Sequence, residues 1–223
     1  MQGQRAELEW RDGGVPVSMR FDDPYFSLDD GLAETEHVFL AGNELPQRFR
    51  PGFHVAELGF GTGLNLLATW KAWEENGTEG ALRFTSFEAF PMTREDMAHA
   101  LKAFPALSPF AMRFLEVWHP DGGVFDLGSL VLEVIVGDAR TCLPDWVGRA
   151  DAWYLDGFSP AKNPELWEDS LMVEIARHTG PGGTVATYTA AGFVRRGLEA
   201  AGFAMERRSG FGRKRHMSVG RLA

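Results

Sequence analysis

Three glycines at alternate positions most constrain this chain: Gly59, Gly61 and Gly63, in the run Ala56-Glu-Leu-Gly-Phe-Gly-Thr-Gly-Leu-Asn65. The apolar run Phe53–Leu58 before them predicts a buried strand that ends in an acid. Gly63–Glu75 after them predicts a helix, with Leu64, Leu67 and Trp70 at helical spacing. Glycine permits a sharp backbone turn and lets a ligand come close to the main chain. A strand, a glycine turn and a helix in succession make the first unit of a wound α/β sheet. A dinucleotide-binding turn needs its third glycine one place later, where Leu64 stands. The spacing therefore leans away from NAD and toward a nucleoside that lacks a pyrophosphate, a description S-adenosylmethionine (SAM) fits. A plain tight strand-to-helix turn would use the same glycines.

The rest of the chain carries the pattern on. Strands are expected at Leu82–Phe87, Leu130–Val136, Ala152–Leu155 and Thr184–Tyr188. Helices are expected at Thr93–Phe104, with Thr93 as N-cap, at Pro164–Arg177, with Asn163 as N-cap, and at Ala191–Ala200. Gly180-Pro-Gly-Gly reads as a sharp turn, and residues 105–130 carry no decisive period. Phe203–Arg207 and Arg215–Arg221 have no helix between them, which predicts an antiparallel hairpin at the sheet edge. Residues 1–50, with Phe21-Asp-Asp-Pro-Tyr-Phe-Ser, Gly31-Leu and Val38-Phe-Leu-Ala-Gly-Asn, read as short strands and turns. They form an extension packed on a main domain of residues 51–223.

Acids recur at the strand ends, where open α/β sheets bind their ligands. Glu57 ends the first strand. Glu88 ends the second and can accept ribose hydroxyls. Asp138 follows the third and can accept from an adenine amino group. Asp156 ends the fourth. Together they predict a negative cleft suited to a sulfonium cation. Any one of them could equally be a helix cap or a solvated side chain.

The run Asp156-Gly-Phe-Ser-Pro-Ala-Lys-Asn-Pro-Glu-Leu-Trp167 can present a carboxylate, a free backbone carbonyl and an aromatic ring together. An amine nucleophile needs acceptors to aim its lone pair and a flat surface to hold a base. A rigid proline-rich turn with a helix cap is the other reading of the same residues.

Composition sets outer limits. The formal charge is -9, yet residues 195–223 hold eight Lys or Arg against two acids. Such a local patch can bind phosphates on an acidic body, or be a solvated face. No apolar run is long enough to cross a membrane, and residues 1–7 carry no apolar leader core. Cys142 is the single cysteine, so no disulfide framework is expected. His37, His54, His99, His119, His178 and His216 show no metal-ligand spacing and are expected to be structural or solvated. A cytoplasmic protein is the expectation.

From about residue 20 to residue 220 the chain resembles the tRNA 5-aminomethyl-2-thiouridine methyltransferases. These are the stand-alone MnmD enzymes and the N-terminal half of bifunctional MnmC. The stretches that carry the resemblance are Phe21-Asp-Asp-Pro-Tyr-Phe-Ser, Gly31-Leu-Ala-Glu-Thr-Glu, Val38-Phe-Leu-Ala-Gly-Asn, Gly59-Phe-Gly-Thr-Gly-Leu-Asn and Ser86-Phe-Glu-Ala-Phe-Pro. They continue with Asp156-Gly-Phe-Ser-Pro-Ala-Lys-Asn-Pro, Ala191-Gly-Phe-Val-Arg-Arg-Gly-Leu and Gly210-Phe-Gly-Arg-Lys-Arg-His-Met. The Asp156 and Gly210 stretches are the most specific of these.

The resemblance implies a Rossmann-like class I SAM-dependent methyltransferase fold. Its sheet would be mostly parallel and seven-stranded, with the antiparallel C-terminal hairpin. Cofactor contacts would come from the glycine turn (Glu57, Gly59, Phe60, Gly61, Thr62, Gly63 and Asn65) and from Glu88, Ala89 and Phe90. Gly137, Asp138, Ala139 and Asp156 would complete them. Asp156 and Phe158 would serve catalysis. Tyr25 or Phe26 would close the pocket and Phe158 would stack on uracil. Pro160 and Asn163 would also touch substrate, while Lys162, Arg213, Lys214 and Arg215 would hold phosphates. The implied reaction is SAM-dependent methylation of the aminomethyl group on the wobble uridine in the tRNA anticodon loop, downstream of enzymes that form the precursor. The FAD-dependent oxidase half of MnmC has no counterpart here, so removal of a carboxymethyl group is not expected. Residues 118–130 are compact beside the longer tract of bifunctional members.

If the acceptor amine resembles lysine, only about one in a thousand is neutral near pH 7.4, a handicap of roughly 4 kcal/mol. Burial and a nearby sulfonium lower that pKa, while a carboxylate raises it. Asp156 could therefore accept a proton or orient the neutral amine. A small-molecule amine methyltransferase or an aminopropyltransferase would share the acidic cleft but need no basic tail. A non-catalytic SAM- or RNA-binding module would bind and transfer nothing.

Overall fold

The computed structural model describes residues 4–11, 13–27 and 30–223. The remaining positions assigned above to the extension, residues 1–3, 12, 28 and 29, lie outside the described residues. The chain opens with three short strands, β1 (Leu8–Arg11), β2 (Val15–Ser18) and β3 (Asp23–Pro24). They pair as a small antiparallel sheet. Next comes a short helix, α1 (Gly31–Thr35), whose N-cap Asp30 accepts from the Ala33 N–H.

The chain then alternates β4 (His54–Leu58), α2 (Leu64–Asn76), β5 (Leu82–Glu88), α3 (Arg94–Ala100), α4 (Ser108–Val117), β6 (Gly123–Asp126) and β7 (Leu130–Val136). It continues with α5 (Ala139–Cys142), β8 (Ala150–Leu155), α6 (Asp169–Arg177), β9 (Thr179–Thr187), α7 (Gly192–Ala200), β10 (Phe203–Ser209) and β11 (His216–Leu222). These eight later strands form one sheet in the order β10-β11-β9-β8-β4-β5-β7-β6. The five inner strands from β9 to β7 run parallel. From β4 the chain moves outward through β5 to β7, then returns to β8 on the other side. That reversal opens a crevice beyond the carboxyl ends of β4 and β8.

Both faces of the sheet are covered, as a parallel sheet requires. Neighbouring residues of β8 show it: Tyr154 joins the core beneath α2 and α4, with Trp70, Phe84 and Phe114, while Trp153 joins the core beneath α6 and α7, with Leu171, Met172 and Leu198. Successive side chains of a strand point to opposite faces. The opening residues add to the first core through Val15, Phe26, Val38, Phe39 and Leu40.

The α/β architecture, the parallel strands and the closing antiparallel hairpin agree with the sequence reading, with four differences. The sheet has eight strands rather than seven. The extra one, β6, is a four-residue edge strand antiparallel to β7, largely exposed and without alternation. Residues 31–43, expected as strand and turn, are helical: Gly31–Thr35 is α1, Glu36–Leu40 winds as a π-helix and Ala41–Asn43 as a 3-10 turn. Their Val-Phe-Leu run is buried all round, a setting in which an apolar helix and a strand read alike. Gly180-Pro-Gly-Gly does not end a strand. It lies inside β9 as an irregularity, since Ala150 pairs with Thr179 but Ala152 with Thr184. Pro164–Arg177 is not one helix. A 3-10 turn, Pro164–Trp167, breaks at extended Glu168 before α6, and Asn163 makes no side-chain cap. The Thr93 cap is as expected, accepting from the Asp96 N–H.

No helix of the described residues is long and apolar enough to cross a membrane, and among them no group of three or more His, Cys, Asp or Glu could hold a metal ion.

Candidate active site

A cleft of about 960 Å³ lies over the carboxyl ends of β4, β5, β7 and β8. Its floor is the glycine turn from Gly59 to Thr62. Gly59, Gly61 and Gly63 all have positive φ, at 89°, 54° and 77°. A Cβ on Gly59 would sit 2.6 Å from the Asp156 carbonyl oxygen, so only glycine lets the two strand ends come this close. A Cβ on Gly61 would stand 3.2 Å from the ring of Tyr25, which reaches over the turn from the end of β3.

The four strand-end acids differ in their surroundings. Glu88 is 9% exposed and accepts from the N–H groups of Gly61 at 2.9 Å and Phe90 at 2.8 Å. Burial raises its carboxyl pKa, and those N–H groups offset part of the rise. Asp138 caps α5 and holds Arg140 in a two-oxygen ion pair, with 2.6 Å as its shortest contact. The guanidinium keeps its carboxyl below the usual carboxylate range. Asp156 keeps part of its surface open to the cleft, yet the surrounding protein pushes its carboxyl up to about 7. The Asn65 hydrogen bond and the Lys214 charge pull it the other way.

Glu57 is not in the cleft. It is 1% exposed beneath the glycine turn, where it accepts from Ser86 at 2.7 Å and Asn65 at 2.9 Å. Burial raises its carboxyl well above the usual value. The expected set of four cleft acids is therefore three.

Asn65, on the first turn of α2, joins these groups. It donates to both Glu57 and Asp156, the latter at 2.6 Å, and accepts from the Thr35 hydroxyl at 2.8 Å. The loop after β8 is pinned as well. The Gly157 carbonyl accepts from the Tyr188 hydroxyl at 2.7 Å, and the Phe158 carbonyl accepts from the Trp167 indole at 2.9 Å. The Ser159 carbonyl accepts from the Lys162 and Asn163 N–H groups. The carbonyls of residues 157–159 are thus each engaged within the protein. The Ser159 N–H donates to Asp23 at 2.8 Å, tying this loop to β3.

The aromatic wall is built from Tyr25 and Phe158, which meet edge-on at 5.0 Å. Phe158 also stacks on Phe21 at 4.8 Å, so one of its faces is already covered. Phe26 backs the wall, 9% exposed and edge-on to Phe104. Phe60, Thr62, Ala89, Phe90, Gly137, Ala139, Asn163 and Arg213 line the cleft, whereas Gly63, Pro160, Lys162 and Arg215 do not. Lys162 turns to Asp22 and Asp23 instead of toward an open face. Lys214 turns inward and pairs with Glu34 at 2.7 Å. Arg213 and Arg215 remain exposed.

Glu34, Thr35 and Tyr188 escaped the sequence reading. Glu34 and Thr35 stand in a stretch that carries the family resemblance, Gly31-Leu-Ala-Glu-Thr-Glu, but only the fold brings α1 to the cleft. Tyr188 carried a signal, as an aromatic residue at a strand's carboxyl end.

A cleft with a glycine floor, acids at strand ends, an aromatic wall and one carboxylate of near-neutral pKa can bind a cationic nucleoside. It can also deliver a base or an acceptor to an amine.

A family model described as S-adenosyl-L-methionine-dependent methyltransferase matches residues 112–223. The chain is 48% identical over 226 residues to the tRNA 5-methylaminomethyl-2-thiouridine biosynthesis bifunctional protein MnmC of Ectopseudomonas mendocina, covering 96% of this chain and 34% of that protein. Identity to the protein of the same name from Stutzerimonas stutzeri is 47%, covering 98% and 35%. The chain thus spans about a third of the length of these curated relatives. Among solved structures, MNMC2 from Aquifex aeolicus matches with a TM-score of 0.72 and 26% identity, over 99% of this chain and 72% of that one. Spermidine synthase from Thermotoga maritima, with a TM-score of 0.56 and 10% identity over 98% of this chain and 72% of that one, shares the fold alone.

Proposed function

Because the chain belongs to the S-adenosyl-L-methionine-dependent methyltransferases, we propose that it methylates the primary amine of 5-aminomethyl-(2-thio)uridine at the wobble position of tRNA, giving the 5-methylaminomethyl nucleoside. The observation that carries this reading is the 48% identity, over nearly the whole chain, to a protein named for the biosynthesis of that nucleoside. The substrate calls for an earlier reaction that installs an aminomethyl group on tRNA, and the setting is cytoplasmic.

The residues present suit SAM. The main chain at Gly59 and Gly61 leaves a cradle that side chains would fill, and the buried carboxylate of Glu88 faces into it. When bound, SAM supplies a methyl group on a cationic sulfonium, from which a neutral thioether departs as the amine gains its N–C bond.

The chain's own residues have separate tasks. Glu88 accepts ribose hydroxyls with the lone pairs its two N–H donors leave free. Asp138, fixed by Arg140, accepts from the adenine amino group. Tyr25 and Phe158 exclude water, and the exclusion favours the neutral amine over its ammonium form. Asp156, held by Asn65, orients that amine and takes up a proton. A carboxyl near 7 is of matching strength for this at neutral pH. Arg213 and Arg215 meet phosphates of the anticodon loop.

Incubation with labelled SAM and tRNA from cells that lack this activity, followed by nucleoside mass analysis, tests the proposal. The expected result is loss of the aminomethyl nucleoside and gain of its labelled methyl derivative. SAM binding without any labelled nucleoside would overturn it and leave a binding module.

A further inference from the structure

Lys214, expected on a phosphate-facing surface, lies in the turn between β10 and β11 with its ammonium inside the mouth of the cleft. Its Nζ stands 2.7 Å from a carboxylate oxygen of Glu34 and 4.2 Å from the centroid of the Tyr188 ring. Glu34 and Tyr188 line the same cleft as Asp156. A carboxylate and an aromatic face together are what recognises an alkylammonium.

We infer that Glu34 and the ring of Tyr188 form the seat at which the acceptor's primary ammonium docks before Asp156 takes its proton, and that Lys214 fills this seat in the free protein until the acceptor takes its place. The inference rests on the amine-methylation reading above and adds a binding site to it.

The two halves of the seat are held from behind, and the lysine is the more exposed partner. Glu34 has a side chain only 12% exposed, on a helix whose next residue, Thr35, is hydrogen-bonded to Asn65. Thr35 and Asn65 thereby connect the seat to Asp156. The Tyr188 hydroxyl is anchored on the Gly157 carbonyl, and Trp167 meets the ring edge-on at 87°. The Lys214 side chain is 45% exposed, and its N–H is held within its own turn by the Phe211 carbonyl. Asp156 faces the seat from the loop after β8, Asp23 from β3, and Arg213 and Arg215 flank Lys214. Replacing one ammonium by another leaves the charge of the pocket unchanged. Glu34 is then never left buried and unpaired, a state that is strongly unfavourable. Once displaced, Lys214 lies between two exposed arginines, where a nucleic acid's phosphates meet it.

The test follows Lys214 directly. Lysine labelled with 13C at Cε gives one methylene signal per lysine, and Lys214→Arg identifies the signal of interest. Above the Tyr188 ring that signal is displaced upfield. tRNA carrying the aminomethyl group is compared with the same tRNA bearing an unmodified wobble uridine, which offers the same phosphates and no amine. The expected result is loss of the upfield displacement with the aminomethylated tRNA alone. A signal that stays put with both, or leaves with both, overturns the seat. Methyl transfer by the wild-type protein is measured alongside. Transfer with an unmoved Lys214 removes the seat only, whereas no transfer and an unmoved Lys214 also removes the reading beneath it. Glu34→Gln is expected to raise KM for the aminomethylated tRNA about tenfold, through loss of a charge-assisted hydrogen bond, with no such loss of affinity for the unmodified tRNA.

Discussion

Asn65 donates from Nδ2 to a carboxylate oxygen of Asp156 across 2.6 Å, tying the first turn of α2 to the end of β8. The same nitrogen reaches Glu57 at 2.9 Å, so one amide keeps two acids apart and aims one of them into the cleft. Asn65→Ala removes both bonds at once, together with the one accepted from Thr35. It is expected to cost about 1–3 kcal/mol of stability for the acceptors left without a partner. The amide favours the ionised form of Asp156, so its loss also moves the acid limb of the pH–rate profile to higher pH. Denaturant unfolding and kcat/KM across pH measure the two effects. An unmoved acid limb would detach Asn65 from the chemistry.

On the proposed function, Asp156 is expected to set a pH dependence. Its carboxyl stands at about 7 in the folded protein against an ordinary value of 3.8. Turnover that needs the carboxylate rises as pH increases through about 7, and Asp156→Asn removes both the rise and most of the rate. Stability runs in the opposite direction. The folded protein keeps this proton between roughly pH 4 and 7 while the unfolded chain gives it up, so this group's contribution is present at acid pH and lost as pH rises through 7. Asp156→Asn is therefore expected to stabilise the protein relative to wild type more at pH 8 than at pH 5. Urea midpoints of the two proteins at both pH values decide this.

Gly59→Ala tests the floor of the cleft. The added methyl would meet the Asp156 carbonyl at 2.6 Å on a backbone with φ of 89°. The left-handed conformation and the overpacking together are expected to cost about 2–4 kcal/mol. Relief of the clash displaces the Asp156 loop, so SAM affinity falls as well. Calorimetric titration with SAM, beside a thermal melt, checks both. Wild-type affinity would mean the loop shifts without touching the cofactor site.

Charge on the β10–β11 turn separates a tRNA substrate from a small amine. Among the described residues, Arg207, Arg213 and Arg215 have no carboxylate at ion-pair distance, whereas Arg195, Arg208 and Arg221 are paired with Glu199, Glu206 and Glu44. For a tRNA substrate, log Kd plotted against log salt is steep. Removing Arg213 and Arg215 lowers the slope by roughly 0.7–0.9 for each phosphate that is no longer neutralised. Substrate binding that ignores salt would favour a small amine as acceptor.

What the sequence made legible follows from how local each signal is. The glycine turn, the Thr93 cap and the acids at 88, 138 and 156 are announced by their immediate neighbours. The hairpin is announced by the missing helix between residues 207 and 215. Helical residues 36–43 were hidden because an apolar run buried on every side has no period to read. Glu57 looked like a cleft acid because it precedes the glycines, but along a strand alternate side chains leave by opposite faces. It leaves toward Ser86 and Asn65, under the floor. Glu34 and Lys214 stand 180 residues apart. Nothing near either one marks the pair, which exists only once the hairpin folds over α1.

The place of β11 between β9 and β10 also bears on how the protein is made. While a ribosome is still adding residues 203–209, the open flank of β9 has no neighbour and that segment has nothing to pair with. An uncovered flank of this kind invites association with other nascent chains. When residues 216–222 emerge, a single insertion closes the flank, recruits the segment before it and swings Lys214 against Glu34. Completion of the sheet and placement of Lys214 at the mouth of the cleft are thus one event, and a chain halted short of it gains neither.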